Sequence, residues 1–155
     1  MPLEIAVTYS NGITGSNTKA GRADTSAVIE FNHQVYIPVD EQMGTPTGTR
    51  VHRPGIFVKP IDAASPLLYK ACCNGEILDE LLFDWYAIQE GAETIYYSTK
   101  VTNVMVTSVE DILPNTKDPA KEKQVHLEQV ELRYGDIEWE FKDGGIIHMD
   151  SWTQE

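Results

Sequence analysis

Three carboxylates alternate along one short stretch, Asp136, Glu138 and Glu140. In an extended chain, alternation puts all three on one face. Two carboxyl groups on one face are the minimum equipment for acid–base work on a glycosidic bond. Such a pair needs one raised pKa, hence an apolar pocket, and this face has no apolar neighbours to supply one. The stretch therefore reads as a solvated or subunit-facing strand surface. Four histidines, His33, His52, His126 and His148, raise metal binding. No two of them fall at a ligand spacing on one element. His33 lies among apolar residues, where a hydrogen-bonded core histidine is expected. No G-x-S-x-G elbow marks a serine nucleophile, and the loop around Gly12 and Gly15 lacks the G-K-[ST] that completes a phosphate-cradling loop. The run Arg50-Val51-His52-Arg53 is basic within an acidic chain. It is either an acceptor for an acidic partner or a locally neutralised strand. No catalytic, metal or cofactor constellation survives, so a binding or structural module is expected rather than an enzyme.

The chain has 155 residues, a length that fits one domain over 1–155 with a core of its own. Its 24 acidic side chains against 12 Lys and Arg give a formal charge of -12. Such a charge repels nucleic acid and anionic membranes, so neither is expected as a partner. No apolar run approaches a transmembrane span, so no membrane insertion is expected. The opening MPLEIAVTYS lacks the basic and long apolar regions of a signal peptide. Cys72 and Cys73 are adjacent, cannot face each other on a helix, and suit a reducing cytosol.

The elements that must position these residues are mostly strands. One helix is predicted over about 65–74: Ser65 as N-cap, Pro66 at the first helical position, Leu67, Leu68, Ala71 and Cys72 as its apolar stripe, and Asn74-Gly75 as its stop. Strands are predicted at Leu3–Tyr9, with a loop from Ser10 to Ser26, and then along Ile29–Val39. There Ile29, Phe31, His33, Val35, Ile37 and Val39 share the core face, and Glu30, Asn32, Gln34 and Tyr36 the other. Asp40–Thr49 reads as a loop, and Arg50–Val58 as strand interrupted at Pro54-Gly55. Ile77–Ile88 is apolar on both sides, which predicts cover on both. Thr94–Val109 is long enough to bend or serve two sheets. Asp111–Lys123 reads as a loop. In Val125–Tyr134 the apolar parity breaks between Leu127 and Val130, predicting a bulge near Glu128-Gln129. The strand at Asp136–Lys142 has Ile137, Trp139 and Phe141 inward, and Ile146–Glu155 is a short tail. The fold class is mainly β: a two-sheet antiparallel β-barrel with one short flanking helix.

Several segments, taken in order, resemble one family. They are Gly48 to Pro54 (GTRVHRP), Ser65 to Tyr69 (SPLLY) with Ala71 and Asn74-Gly75-Glu76, and Tyr96 to Lys100 (YYSTK). Asp118 to Lys121 (DPAK) and Tyr134 with Ile137 and Trp139 complete the set. Together they are similar to the haemolysin-coregulated protein (Hcp) family, the inner-tube subunit of the bacterial type VI secretion system. The resemblance implies homohexameric rings stacked into a tube, with a VgrG-type spike protein, a contractile sheath and secreted effectors as partners. It implies no cofactor. It also implies assembly in the bacterial cytoplasm, followed by secretion without a signal peptide. Some relatives carry a fused C-terminal toxin domain; ending at Glu155, this chain is expected to be a plain tube subunit.

On that reading Glu30, Asn32 and Gln34 are candidates for the lumen, where effectors would ride. The Asp40–Thr49 loop, with Asp40 and Glu41, is the candidate for reaching the next ring, and Arg50, His52 and Arg53 are possible acceptors for acidic partners. Surplus apolar surface on Ile77–Ile88 and Thr94–Val109 is expected at the subunit interface. The alternatives are a phage-type tail-tube protein, with much the same mechanics, and a free-standing β-barrel carbohydrate-binding domain or hydrolase.

Overall fold

A computed structural model describes residues 4–121 and 125–152. Leu3 of the first predicted strand, Lys123 of the predicted loop and residues 153–155 of the predicted tail lie outside that range. The architecture is built on one long hairpin. Strand β7 (Ile77–Gln89) pairs antiparallel with β8 (Ala92–Ile112) through a two-residue turn, Glu90-Gly91. Both turn residues have positive φ, 52° and 77°, as a hairpin turn matched to strand twist requires.

The length of β8 exceeds what one neighbour can use. Its Tyr97–Thr102 stretch pairs with β10 (Asp136–Phe141), and its Met105–Ile112 stretch with β9 (Leu127–Arg133). The strand bends at the fork, where Asn103 takes φ 52°. Gly135, between β9 and β10, donates its N–H to the carbonyls of Thr102 and Asn103. A Cβ on Gly135 would lie 3.0 Å from that of Asn103, so glycine permits the close approach. The expected bend is found at this fork, but the strand does not serve two sheets: β9 and β10 both belong to the sheet of β8.

The remaining strands run β2 (Ser26–Val28), β1 (Glu4–Tyr9), β7, β8, β9, β6 (Gly55–Pro60), β3 (Glu30–Asn32). The two ends of this order are successive pieces of one chain segment, joined at Ile29, whose N–H donates to the Val58 carbonyl at 2.8 Å. The segment thus meets β1 with its first half and β6 with its second, and the sheet wraps into a barrel. No continuous ladder crosses that seam. The barrel interior is filled by Val7, Phe57, Leu81, Phe83, Val104, Val130, Leu132 and Ile137, among others. Phe31 sits edge-on to Phe83 and Trp85.

Helix α1 (Ser65–Asn74) closes one side, burying Leu68 and Ala71, with Leu67 and Cys72 packed at the margin. Its C-terminus is as expected: Gly75 takes φ 63°, and Gly75 and Glu76 N–H groups return to the Cys72 and Ala71 carbonyls, a Schellman closure. Its N-terminus differs. Ala64 is the cap residue and Ser65 is already helical. The Ser65 hydroxyl is spent elsewhere: it donates to Glu128 and accepts from the Lys59 ammonium at 3.1 Å and the Asp62 N–H at 3.0 Å. Both cysteines are free thiols, Cys72 half-buried and Cys73 exposed.

Five sequence expectations are corrected. The Ile29–Val39 strand is not one strand. After β3 the chain leaves the barrel, and β4 (Val35–Tyr36) pairs with β5 (Val51–His52) in a separate two-stranded sheet. Ile29, Val35, Ile37 and Val39 are exposed within the protomer; only Phe31 and His33 of that face turn inward. Ile77–Ile88 is covered on one face, with acidic Asp79, Glu80 and Asp84 on the other side. No bulge occurs in β9. The register shift lies across from it, between Val106 and Ser108 of β8, and Glu128 points inward with Val130, Leu132 and Tyr134. Finally, the tail is a strand, β11 (Ile146–Ser151), paired with β10. Phe141, expected inside, is exposed on that hairpin.

Candidate assembly site

The three alternating carboxylates, Asp136, Glu138 and Glu140, are each separately occupied. Glu138 lies 3.2 Å from Lys100, Glu140 lies 2.7 Å from Lys142, and Asp136 accepts from the Ser151 hydroxyl. They line a charged strand surface; the small depression beside Asp136 and Glu138, walled by Ile137 and Met149, has Lys100 and Thr102 in its lining. The histidines do not gather into a ligand set either, and no group of three or more metal-ligating residues occurs among the described residues. His126 faces Asp111 at 3.7 Å on the surface, and His148 stacks on Trp139. His33 and His52 do come together, by way of Tyr134.

The most distinctive surface feature is the arm, residues 34–53, which projects from the barrel between β3 and β6. Arg53 N–H donates to the Gln34 carbonyl at 2.9 Å at its root. The β4–β5 ladder and a bridge between Val39 and Pro46 carry it outward. The tip is a defined turn rather than a loose loop. Asp40 exchanges backbone hydrogen bonds with Thr45 and Gly44, and its side chain accepts from the Gln42 N–H at 2.9 Å. Glu41 is fully on the outside. Apolar side chains ride the arm uncovered: Ile37 is 51%, Val39 54% and Met43 74% exposed.

The three bases near the arm's return strand separate into two kinds. Arg53 is exposed, its guanidinium 5.3 Å from the centre of the Tyr36 ring. Arg50 and His52 are engaged within the chain. Arg50 grips Asp150 of β11 with two bonds, Nε to Oδ2 at 2.6 Å and Nη2 to Oδ1 at 2.9 Å. His52, whose side chain is fully buried, donates from Nε2 to the same Oδ2 at 2.8 Å. The Arg50 guanidinium is the main reason that the Asp150 carboxyl is held well below the usual carboxylate range, with the His52 contact adding to it and desolvation opposing.

The other nitrogen of His52, Nδ1, meets the Tyr134 hydroxyl at 2.6 Å, and that hydroxyl meets His33 Nε2 at 2.7 Å. The polarity of this chain follows from its end. Asp150 can only accept, so His52 donates to it from Nε2, which leaves Nδ1 to accept a hydrogen bond from the Tyr134 hydroxyl. Tyr134 then accepts from His33 Nε2–H. Burial first, and then the proximity of His52, pushes His33 below its ordinary pKa. Trp152 stacks on His52 and is edge-on to Tyr134.

Asp150 and Tyr134 were not anticipated as site residues. The signal for Asp150 was present: Asp143-Gly144-Gly145 before an apolar run marks a hairpin, and β11 follows it.

Glu30, Asn32 and Gln34 are all exposed. Glu30 and Asn32 flank the inward Phe31 and point to the outer face of β3. There they stand level with Val58 and Gln129, and with Ile56 and Glu131, on β6 and β9. The face is polar and acidic, without a closed pocket. Gln34 lies at the arm's root, separate from the other two.

A barrel with one flanking helix, a projecting hairpin arm and uncovered apolar strands defines a protein whose distinctive surfaces are for contact. Comparison with known proteins makes that class specific. Residues 7–141 match the family model described as type VI secretion system effector, Hcp, and the chain belongs to that family. It is 35% identical over 145 residues to the major exported protein of Pseudomonas aeruginosa, covering 93% of this chain and 84% of the relative. The fold is similar to a double-tryptophan variant of the Hcp1 protein from E. coli EAEC 042. That match has 41% identity and a TM-score of 0.84, with 98% of this chain and 99% of that one covered. It is also similar to the secreted protein Hcp3 from Pseudomonas aeruginosa, with 27% identity, a TM-score of 0.77 and 99% of both chains covered.

Proposed function

We propose that this chain, as one domain over 1–155, is a structural subunit of the type VI secretion tube. Six copies form a ring, rings stack head to tail, and the assembly is built in the cytoplasm and then exported. It acts by shape and carries out no reaction of its own. The single observation that carries this reading is the combination of family membership with an arm whose outer apolar side chains, Ile37, Val39 and Met43, are uncovered within their own protomer. The outer apolar residues Ile77, Ile88 and Met105, each more than a third exposed, supply area for neighbouring copies on the two strands expected at the interface. A head-to-tail contact that closes by rotation yields a ring.

On this reading the arm reaches the next ring, with Asp40 and Glu41 at its tip and Arg53 as the base still open to an acidic partner. Arg50 and His52 support the arm from behind. Glu30 and Asn32 face the lumen and meet effectors, and Gln34 stands at the rim where the arm departs. The spike protein and contractile sheath are the other partners. Sedimentation at micromolar concentration, with negative-stain microscopy, tests the core of the proposal: ring-shaped particles of six-chain mass are expected. A stable monomer would overturn it.

A further inference from the structure

We infer that Asp150, on the last strand, is the latch that sets the pose of the arm, so that β11 and the arm work as one stacking element. The inference rests on the reading of the arm as the part that reaches the next ring. An isolated two-stranded ribbon is marginal in water. This one has two ladder pairs and one bridge, Val35 with His52, Tyr36 with Val51 and Val39 with Pro46. Its direction must therefore be fixed where it leaves the barrel. Both of its roots converge on one cluster there. The outgoing root brings His33 to Tyr134, and the returning root brings Arg50 and His52 to Asp150.

Every acceptor position of Asp150 that faces the arm is used, Oδ2 by two donors and Oδ1 by one. Arg50 also reaches the Ser151 carbonyl at 3.3 Å. On its other side the latch is anchored by main chain: Asp150 lies opposite Ile137 in the β10–β11 ladder, and Trp152 N–H donates to the Gly135 carbonyl at 2.9 Å. Because β11, among the described residues, pairs with β10 alone, losing the latch frees the arm without opening the barrel core. Charge-assisted, bidentate bonds of this kind fix direction as well as adding energy. That makes Asp150 a positioning residue for stacking.

The test compares four chains in type VI-active cells and in purified form: Asp150→Asn, Arg50→Gln, the two substitutions together, and a chain lacking Asp40–Thr49. Asparagine keeps the shape but turns an amide N–H toward Arg50 or His52, donor against donor. Both substitutions are expected to leave ring mass unchanged and to speed amide exchange across residues 34–53 by about tenfold or more, the scale of a lost charged hydrogen bond. Secretion is expected to fall toward that of the arm-deleted chain. The double substitution should be no worse than either single one, since both break the same contact.

Unchanged arm exchange in both variants would overturn the latch, as would normal secretion of both while the arm-deleted chain is not exported. Normal secretion of the arm-deleted chain would overturn the arm's stacking role and the latch's part in it. Exchange would then still report whether Asp150 holds the arm. Should Asp150→Asn fail to form rings, Arg50→Gln decides, because that side chain is a quarter exposed and lies outside the barrel core.

Discussion

At the scale of single residues, the barrel's least expected feature is ionic. Lys59 and Glu128 are both fully buried and lie 2.6 Å apart, with Asp62 2.9 Å from the same ammonium. Asp62 in turn accepts from Ser26 and from the Ser16 N–H, so this cluster joins β6, β9, the helix start and the loop before β2. The parity break at Leu127–Val130 was legible in the sequence, but a buried glutamate and a bulge leave the same apolar pattern. Nothing local in EQVEL says that a lysine some 70 residues earlier, counted as about two β-strands and a helix away, waits inside. A buried pair is costly to break and cheap to replace as a whole. Glu128→Ala should therefore destabilise by about 3–5 kcal/mol, while Lys59→Met with Glu128→Leu should lose much less. Denaturant titration at fixed protein concentration measures both. His33 gives the pH counterpart. Its folded pKa is lowered, so the unfolded chain binds more protons just below the ordinary value of about 6.5. Stability is then complete above that value and falls as pH drops through it toward the folded pKa. Thermal unfolding midpoints should decline on acidification below about pH 6.5, and less steeply in His33→Gln.

Among the elements, the helix, the β7–β8 hairpin and β10 were legible because local chemistry decides them: Pro66 near the start, Gly75 at the stop, Gly91 in a two-residue turn, and strict alternation in Asp136–Phe141. The arm was not. Its sequence carries an alternation as clean as that of a core strand, and alternation reports only that one face is apolar, not what covers it. Ile37, Val39 and Met43 have no cover within the protomer. The same holds for Ile146, Ile147 and Met149 on β11, an edge strand with none of the lysines or prolines that usually blunt such edges. Of the candidate site, only the turn within Asp40–Thr49 could be placed from sequence, by its two glycines and one proline. The ties of Arg50 and His52 to Asp150 span about a hundred residues of chain and had no local signature. If the arm serves contact between rings, its removal should not touch the barrel. A chain in which Asp40–Thr49 is replaced by a short glycine link should form rings of normal mass and unfold at nearly the wild-type temperature, yet should not be secreted. Secretion at the normal level would end the stacking role of the arm.

For the molecule as a whole, charge and shape pull in opposite directions. Each chain carries -12, so the proposed ring of six would carry six times that charge. Rings that approach face to face bring these charges within range of one another, and the repulsion extends about 10 Å in 0.1 M salt and about 30 Å in 0.01 M. The attractive ion pairs available across a stacking face, Arg53 among them, are exposed and worth about 0.2–1 kcal/mol each. Salt weakens both effects, but the net charge acts between all copies at once while the pairs are few, so repulsion is the larger quantity removed. Apolar contact by the arm is not weakened by salt. Purified rings should therefore stay separate in dilute buffer and associate into longer stacks as sodium chloride is raised. Sedimentation velocity or light scattering across a salt series reads this directly. Stacks that dissolve with rising salt would mean that specific ion pairs, and not the arm's apolar side chains, hold ring to ring.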